Sequence, residues 1–272
     1  MKRIYLDSNG ETIKCENCVV GDKLMFLGEQ YEVVDNKLLR KRIKEGVRYD
    51  RLVTTMVTDM SKLFRGRIVQ YSIKTWDVSN VLNMSEMFFE SNFNQKIGDW
   101  DVRNVNTMSG MFGYSPFNQS ISDWDVSNVY DMSGMFMNSN FNRPIGNWDV
   151  SAVELMIAMF VSTPFNQEIG NWDVSNVLCT SGMFSNSDFN QPIGGWNIKS
   201  LLGVRGMFSF SPFNHPLDNW DVSKITEMSG MFWECPFNHS IDSWNPSSVT
   251  DIDDEGTEGM SLIEKLRLPQ SE

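Results

Sequence analysis

His215 and His239 are the only histidines in the 272-residue chain, and they stand 24 residues apart. If consecutive 24-residue periods lie side by side, the two imidazoles come close enough to share a metal ion, a common task of neutral imidazole. The same position elsewhere holds Gln95, Gln119, Gln167 and Gln191. That favours an ordinary polar surface, so no metal is expected. Cys15 and Cys18 form a C-x-x-C pair that could bind metal or do redox chemistry. A structural zinc site would need a second close pair of ligands, and the plain alternative is two reduced thiols in a small β module. A third candidate is the acidic row Asp77, Asp101, Asp125, Asp149, Asp173 and Asp221, with Asn197 and Asn245 in the same phase. Like charges stacked roughly 5 Å apart repel by about 1 kcal/mol per pair in water, so something must offset them. Either the row binds cations or a basic partner, or each Asp bonds the backbone N–H two residues on. The neighbouring Ser79, Ser127, Ser151 and Ser175 favour the second reading.

No Ser, Cys or Lys nucleophile stands with a base, and no Gly-rich loop has the spacing of a phosphate cradle. Surface residues recur from period to period and are interchangeable, so the expectation is a non-enzymatic protein without a cofactor. The chain is acidic, with a formal net charge of −12. Nucleic acid is therefore not an expected partner, because its phosphates must be met by Lys and Arg. The charge is uneven: residues 1–51 carry 11 Lys and Arg against 9 Asp and Glu, and the other 221 carry 12 against 26. Arg40, Lys41, Arg42 and Lys44 concentrate the positive charge on one segment. They form either a partner or membrane-surface patch, or a solvated helix face docked on an acidic array.

What must position these residues is a strict repeat. Trp76, Trp100, Trp124, Trp148, Trp172, Trp196, Trp220 and Trp244 are each 24 residues apart. A fixed period of this length marks a stacked array. Aligned on Trp, the repeat reads W-D-V-S-N-V-x-x-M-S-G-M-F-x-x-S-x-F-N-Q-x-I-G-N, with four apolar positions kept in every copy. Ile97-x-x-Trp100-x-Val102 alternates as a one-sided strand does. Val105, Met108, Met111 and Phe112 are spaced as a single helical or 3₁₀ turn. Asn94, Asn118, Asn142, Asn166, Asn190, Asn214 and Asn238 recur where an amide could donate to one coil and accept from the next. The fold class expected is an α/β repeat solenoid of leucine-rich-repeat type: one parallel strand plus a short helix or 3₁₀ turn per coil, behind a small β-rich N-terminal cap. Eight to nine coils would make a rod roughly 40 Å long.

The wording of the repeat, W-D-V-S-N-V…M-S-x-M-F…F-N-Q-x-I-G-N over about residues 53–252, resembles the BspA-like repeat family. That family comprises bacterial surface proteins and mycoplasma lipoproteins, with relatives in protists and large DNA viruses. The resemblance implies adhesion or protein binding at a cell surface or on a virion. No signal-peptide h-region and no lipid or wall-sorting signal is expected from these residues, an expectation that departs from the surface-protein pattern.

Three segments are expected. Residues 1–52 form a capping module of short strands with one helix at 36–44, residues 53–252 hold about eight repeats, and residues 253–272 form a C-terminal cap or tail. The last would place Met260, Ile263 and Leu266 on one side of an amphipathic segment. No run approaches 18 apolar residues, so no transmembrane span is expected. The expected function is protein interaction through a polar, acidic strand face lined by Asp101, Arg103, Asp125, Ser127, Asp149 and Asp173. The identity of the partner is not encoded. Arg103, Arg143, Lys199, His215, His239 and the off-ladder Trp233 differ between coils and would give selectivity. The alternative is a structural component of a larger assembly, such as a virus particle or surface layer.

Overall fold

A computed structural model describes residues 1–251. The segment 253–272 read as a C-terminal cap, with Met260, Ile263 and Leu266, lies outside the described residues.

Two antiparallel hairpins open the chain. β1 (Arg3–Leu6) pairs with β2 (Ile13–Glu16), and β3 (Lys23–Phe26) pairs with β4 (Glu29–Val33). Helix α1 (Asn36–Lys44) starts at Asp35, whose side chain accepts from the Leu38 N–H at 2.8 Å and satisfies one of the helix's orphan donors. A 3₁₀ turn (Tyr49–Arg51) leads into β5 (Leu52–Val53), which pairs in parallel with β4.

From residue 54 onward the described residues form coils that differ in detail from a strand-plus-helix repeat. Neighbouring coils meet at single parallel bridges 24 residues apart, from Asp59 with Asn83 to Glu227 with Asp251. The window around Trp100, read from its alternation as a strand, is a β-turn closed by the Trp100 N–H on the Ile97 carbonyl at 3.1 Å. The three-and-four spacing further on is a run of overlapping β-turns at 108–111, 110–113 and 112–115. Turns of three residues place Met108 and Met111 on the inside just as one turn of helix would. The left-handed backbone of Gly110 (φ 63°) and Tyr114 (φ 54°) keeps the run from winding into a helix.

This conformation sorts the backbone hydrogen bonds by parity. The N–H groups of Met84, Glu86, Phe88 and Glu90 donate to the carbonyls of Thr107, Ser109, Met111 and Gly113 in the next coil, at 2.8–3.0 Å. Those of Met87, Phe89 and Ser91 donate three residues back within their own coil. Every bond of the first set points the same way along the stack. The first coil would therefore expose carbonyls with no coil before them, and burying such acceptors unpaired is costly. Arg40 on α1 meets them: its guanidinium donates to the Ser61 carbonyl at 2.7 Å and the Asp59 carbonyl at 3.4 Å.

Inside, apolar side chains of all coils form one continuous core. Two files of phenylalanines run along it. Rings stack within a coil, as Phe88 on Phe93 at 3.7 Å between centroids, and across coils, as Phe88 on Phe112 at 5.7 Å. A single coil could not bury such faces, and stacking does so collectively. Most of the indoles also reach back one coil. Trp124, Trp148, Trp172, Trp196 and Trp220 donate from Nε1 to the carbonyls of Ile97, Ile121, Ile145, Ile169 and Ile193, at 3.0–3.3 Å. Close packing leaves no space at Gly146, where a Cβ would stand 2.5 Å from the Glu168 carbonyl oxygen of the next coil.

Candidate functional site

The Asp row lies on turns rather than on a strand. Val102 and Val105 close one such turn (the Val105 N–H on the Val102 carbonyl, 2.9 Å), and its equivalents recur in each coil. The residue before each turn supplies the carboxylate. Asp125 Oδ1 accepts from the Ser127 hydroxyl at 2.6 Å and from the Ser127 N–H at 3.2 Å. Asp149 with Ser151 and Asp77 with Ser79 show the same two bonds, and Asp173 and Asp221 accept from the N–H of Ser175 and Ser223. In one coil Arg103 replaces the serine, and its Nε donates to Asp101 Oδ1 at 2.7 Å. Each acid is thus tied to its own turn, while Asp125, Asp149, Asp173 and Asp221 remain exposed to solvent. Asn197 makes the same backbone bond without a charge, accepting from the Lys199 N–H at 3.3 Å, and the Lys199 side chain is exposed. Asp77 is the exception in burial: its carboxylate is covered by the N-terminal module, with Lys14 Nζ 4.0 Å from Oδ1.

These bonds favour the charged form. The serine hydroxyls, and after them the serine N–H groups, hold the carboxyls of Asp125, Asp173 and Asp221 below the usual carboxylate range. Lys14 does the same for Asp7. A carboxyl whose folded value is depressed adds stability that is fully present above its unfolded value, about 3.9 for Asp, and is lost as pH falls through the folded value. Melting temperature is therefore expected to hold near neutrality and to fall between about pH 5 and pH 2. In Ser127→Ala the Asp125 carboxyl should titrate at higher pH by NMR, and an unchanged titration would remove the hydroxyl as the cause.

The other sequence candidates lie apart from this row. His215 and His239 sit in adjacent coils, but each ring points at the backbone. Nε2 lies 3.1 Å from the Asn190 carbonyl in one case and 3.1 Å from the Asn214 carbonyl in the other, so the proton is on Nε2. Gln191 Nε2 reaches the equivalent Asn166 carbonyl at 3.4 Å, which is why His and Gln exchange at this position. Among the described residues no group of three or more His, Cys, Asp or Glu is placed to hold a metal ion. Cys15 and Cys18 are free thiols, and burial, ahead of its neighbours, pushes the Cys15 thiol up to about 11. Trp233 is exposed beside Phe210, their centroids 5.4 Å apart. Of the basic residues, Arg40 caps the first coil, Arg42 pairs with Glu32 and Glu45, and Lys41 pairs with Glu45 at 3.8 Å. Only Lys44 of the four has no ion pair among the described residues.

Sequence reasoning passed over one row. Asn80, Asn104, Asn128 and Asn176 donate from Nδ2 to carbonyls of the preceding coil at 2.7–2.8 Å. Its signal was the Asn of the W-D-V-S-N-V consensus, a small amide kept beside a turn.

Among the described residues no helix is long and apolar enough to cross a membrane. No curated protein and no solved structure is similar enough to match. The profile of the family described as Mycoplasma protein of unknown function, DUF285, matches residues 39–139, 113–212 and 164–262, and these overlapping stretches cover most of the chain, which belongs to that repeat family.

Proposed function

We propose that this is a non-enzymatic interaction protein, a leucine-rich-repeat-like solenoid akin to the BspA-like surface proteins, that offers the Asp row to a basic protein partner. The observation that carries this reading is the fixed geometry of the carboxylates. Exposed surface charges ordinarily lose side-chain freedom on binding, which weakens the contact. Here Asp125 and Asp149 are already held by two bonds each from their own turns, so a partner would meet an ordered row of acids. The adhesion and surface setting come from the family resemblance.

Asn197 supplies a clean test, since Asn keeps the turn bond without the charge. The triple variant Asp125→Asn, Asp149→Asn and Asp173→Asn is expected to melt within a few degrees of wild type. It should lose a partner that wild type captures from the native source at low salt and releases as salt screens the contact. A partner held equally by both proteins, or held independently of salt, would rule out the acidic face as the binding surface.

A further inference from the structure

One coil breaks the polar habit of the face that carries the inter-coil bridges. At the bridge position Asp59, Asn83, Thr107 and Asp131 give way to Leu155. Two residues on, Ser85, Ser109 and Ser133 give way to Ile157, which is 38% exposed. At the left-handed position held by Gly110, Gly134, Gly182 and Gly206 stands Ala158 (φ 54°). Lys62 (φ 58°) and Glu86 (φ 55°) take the same left-handed backbone in the first coils, so Ala158 adds a methyl group to this face without being unique in its conformation. The neighbouring coils extend the apolar surface with Leu178 (38% exposed), Leu202 (45%) and Tyr130 (47%). Leu178 and Leu202 adjoin at this position, the Leu202 N–H on the Leu178 carbonyl at 2.9 Å, and Glu154 stands between Leu178 and Tyr130, its carbonyl accepting the Leu178 N–H at 2.8 Å.

Two charges stand beside the leucines. Glu154 lies one coil before Leu178, and Arg205 belongs to the coil after it. Both are exposed, and neither side chain has an ion-pair partner among the described residues. Acid on one side of an apolar centre and base on the other make the surface complementary to itself when turned end for end. We propose that this face binds a second copy of the same chain, antiparallel, about a twofold axis through the Leu178 coil. Leu178 then meets Leu178 of the second copy. The coil of Glu154 and Ile157 lies over the coil of Leu202 and Arg205, in both directions at once. The parallel arrangement would place Glu154 over Glu154 and Arg205 over Arg205, and like charges facing across an interface disfavour it. At the rim, Asp131 lies over Glu227, which holds the same coil position, and Lys224 three residues before Glu227 offsets that pair.

The pairing uses a different face from the Asp row and does not depend on it, so the Asp125→Asn, Asp149→Asn, Asp173→Asn variant should dimerise as wild type does. The test is sedimentation equilibrium of the whole chain over a range of concentrations. Wild type is expected to move from the 31.2 kDa monomer to twice that mass. Leu178→Glu, Glu154→Arg and Arg205→Glu should each weaken the dimer by about tenfold or more, with unchanged melting, since these side chains are exposed. The double reversal Glu154→Arg with Arg205→Glu should restore it, because each new charge again meets its opposite. A wild-type monomer at every concentration would overturn the proposal. So would single reversals without effect, a double reversal no better than the singles, or a foreign protein on this face of a monomer.

Discussion

Trp172→Ala is expected to lower the unfolding free energy by about 3–5 kcal/mol and the melting temperature by roughly 10 °C, whereas Trp172→Phe should cost only about 1 kcal/mol. The two substitutions separate the two tasks of the indole. Trp172 is 3% exposed and fills the space between its own coil and its neighbours, so truncation leaves a cavity that the bonded backbones on both sides resist closing. Its Nε1 also donates to the Ile145 carbonyl at 3.1 Å. That carbonyl accepts the Trp148 N–H as well, at 3.1 Å, so losing the indole bond does not leave it bare. The chain contains a natural example of the smaller loss: the buried Nε1 of Trp100 has no partner, and the coil is intact around it. The coil before it departs from the repeat at the same place, where the N-terminal module docks with the Ile13 N–H on the Thr75 carbonyl at 2.8 Å. Denaturant unfolding of both variants measures the difference. A Phe variant as unstable as the Ala variant would mean that the indole bond, and not the volume, dominates.

The register of the stack was legible in the period alone. Trp100 to Trp124 and Asn83 to Thr107 are both 24 residues, and the second pair is bridged. The role of the Asp row was legible too, because a serine two residues after an acid is the signature of a side chain bonding its own turn. The local conformation of the coils was not. A spacing of three and four suits a helical turn and a chain of β-turns equally, and only the backbone signs at positions such as Gly110 and Tyr114 distinguish them. Tyr at a left-handed position gives no warning, since bulky residues rarely occur there. Arg40 read as part of a charged patch for a similar reason. Its role depends on the direction in which the carbonyls of Asp59 and Ser61 point, which is a property of the whole ladder and not of its own segment. The phenylalanine files and the shared core followed from the pattern because burial needs only position, whereas hydrogen-bond direction needs the assembled fold.

Asn166 provides the second large effect, and it shows how direction decides a ladder. The sequence suggested an amide donating to one coil and accepting from the next. The structure has the side chain accepting: Asn166 Oδ1 takes the Asn190 N–H at 2.9 Å and Gln191 Nε2 at 2.9 Å. The Asn166 backbone N–H in turn donates to Asn142 Oδ1 at 3.1 Å. Asn118, Asn142, Asn166, Asn190 and Asn214 are chained in this way, each oxygen fixing the backbone of the following coil. Asn166→Leu keeps the branched shape but leaves the partly buried Asn190 N–H without its acceptor and the Gln191 amide with only its longer bond to the Asn166 carbonyl at 3.4 Å. A buried donor stripped of its partner costs about 1–3 kcal/mol, so the expected loss is about 2–3 kcal/mol by denaturant unfolding. Asn166→Asp separates acceptor from amide: it keeps the oxygen and loses Nδ2. At neutral pH it should hold most of the wild-type stability, and in acid it should fall towards the Leu variant as the carboxyl protonates. An Asp variant as unstable as Leu at pH 7 would show that the Nδ2 group, not the oxygen, holds the coils together. A Leu variant that melts with wild type would show that packing of the Phe files alone fixes the register.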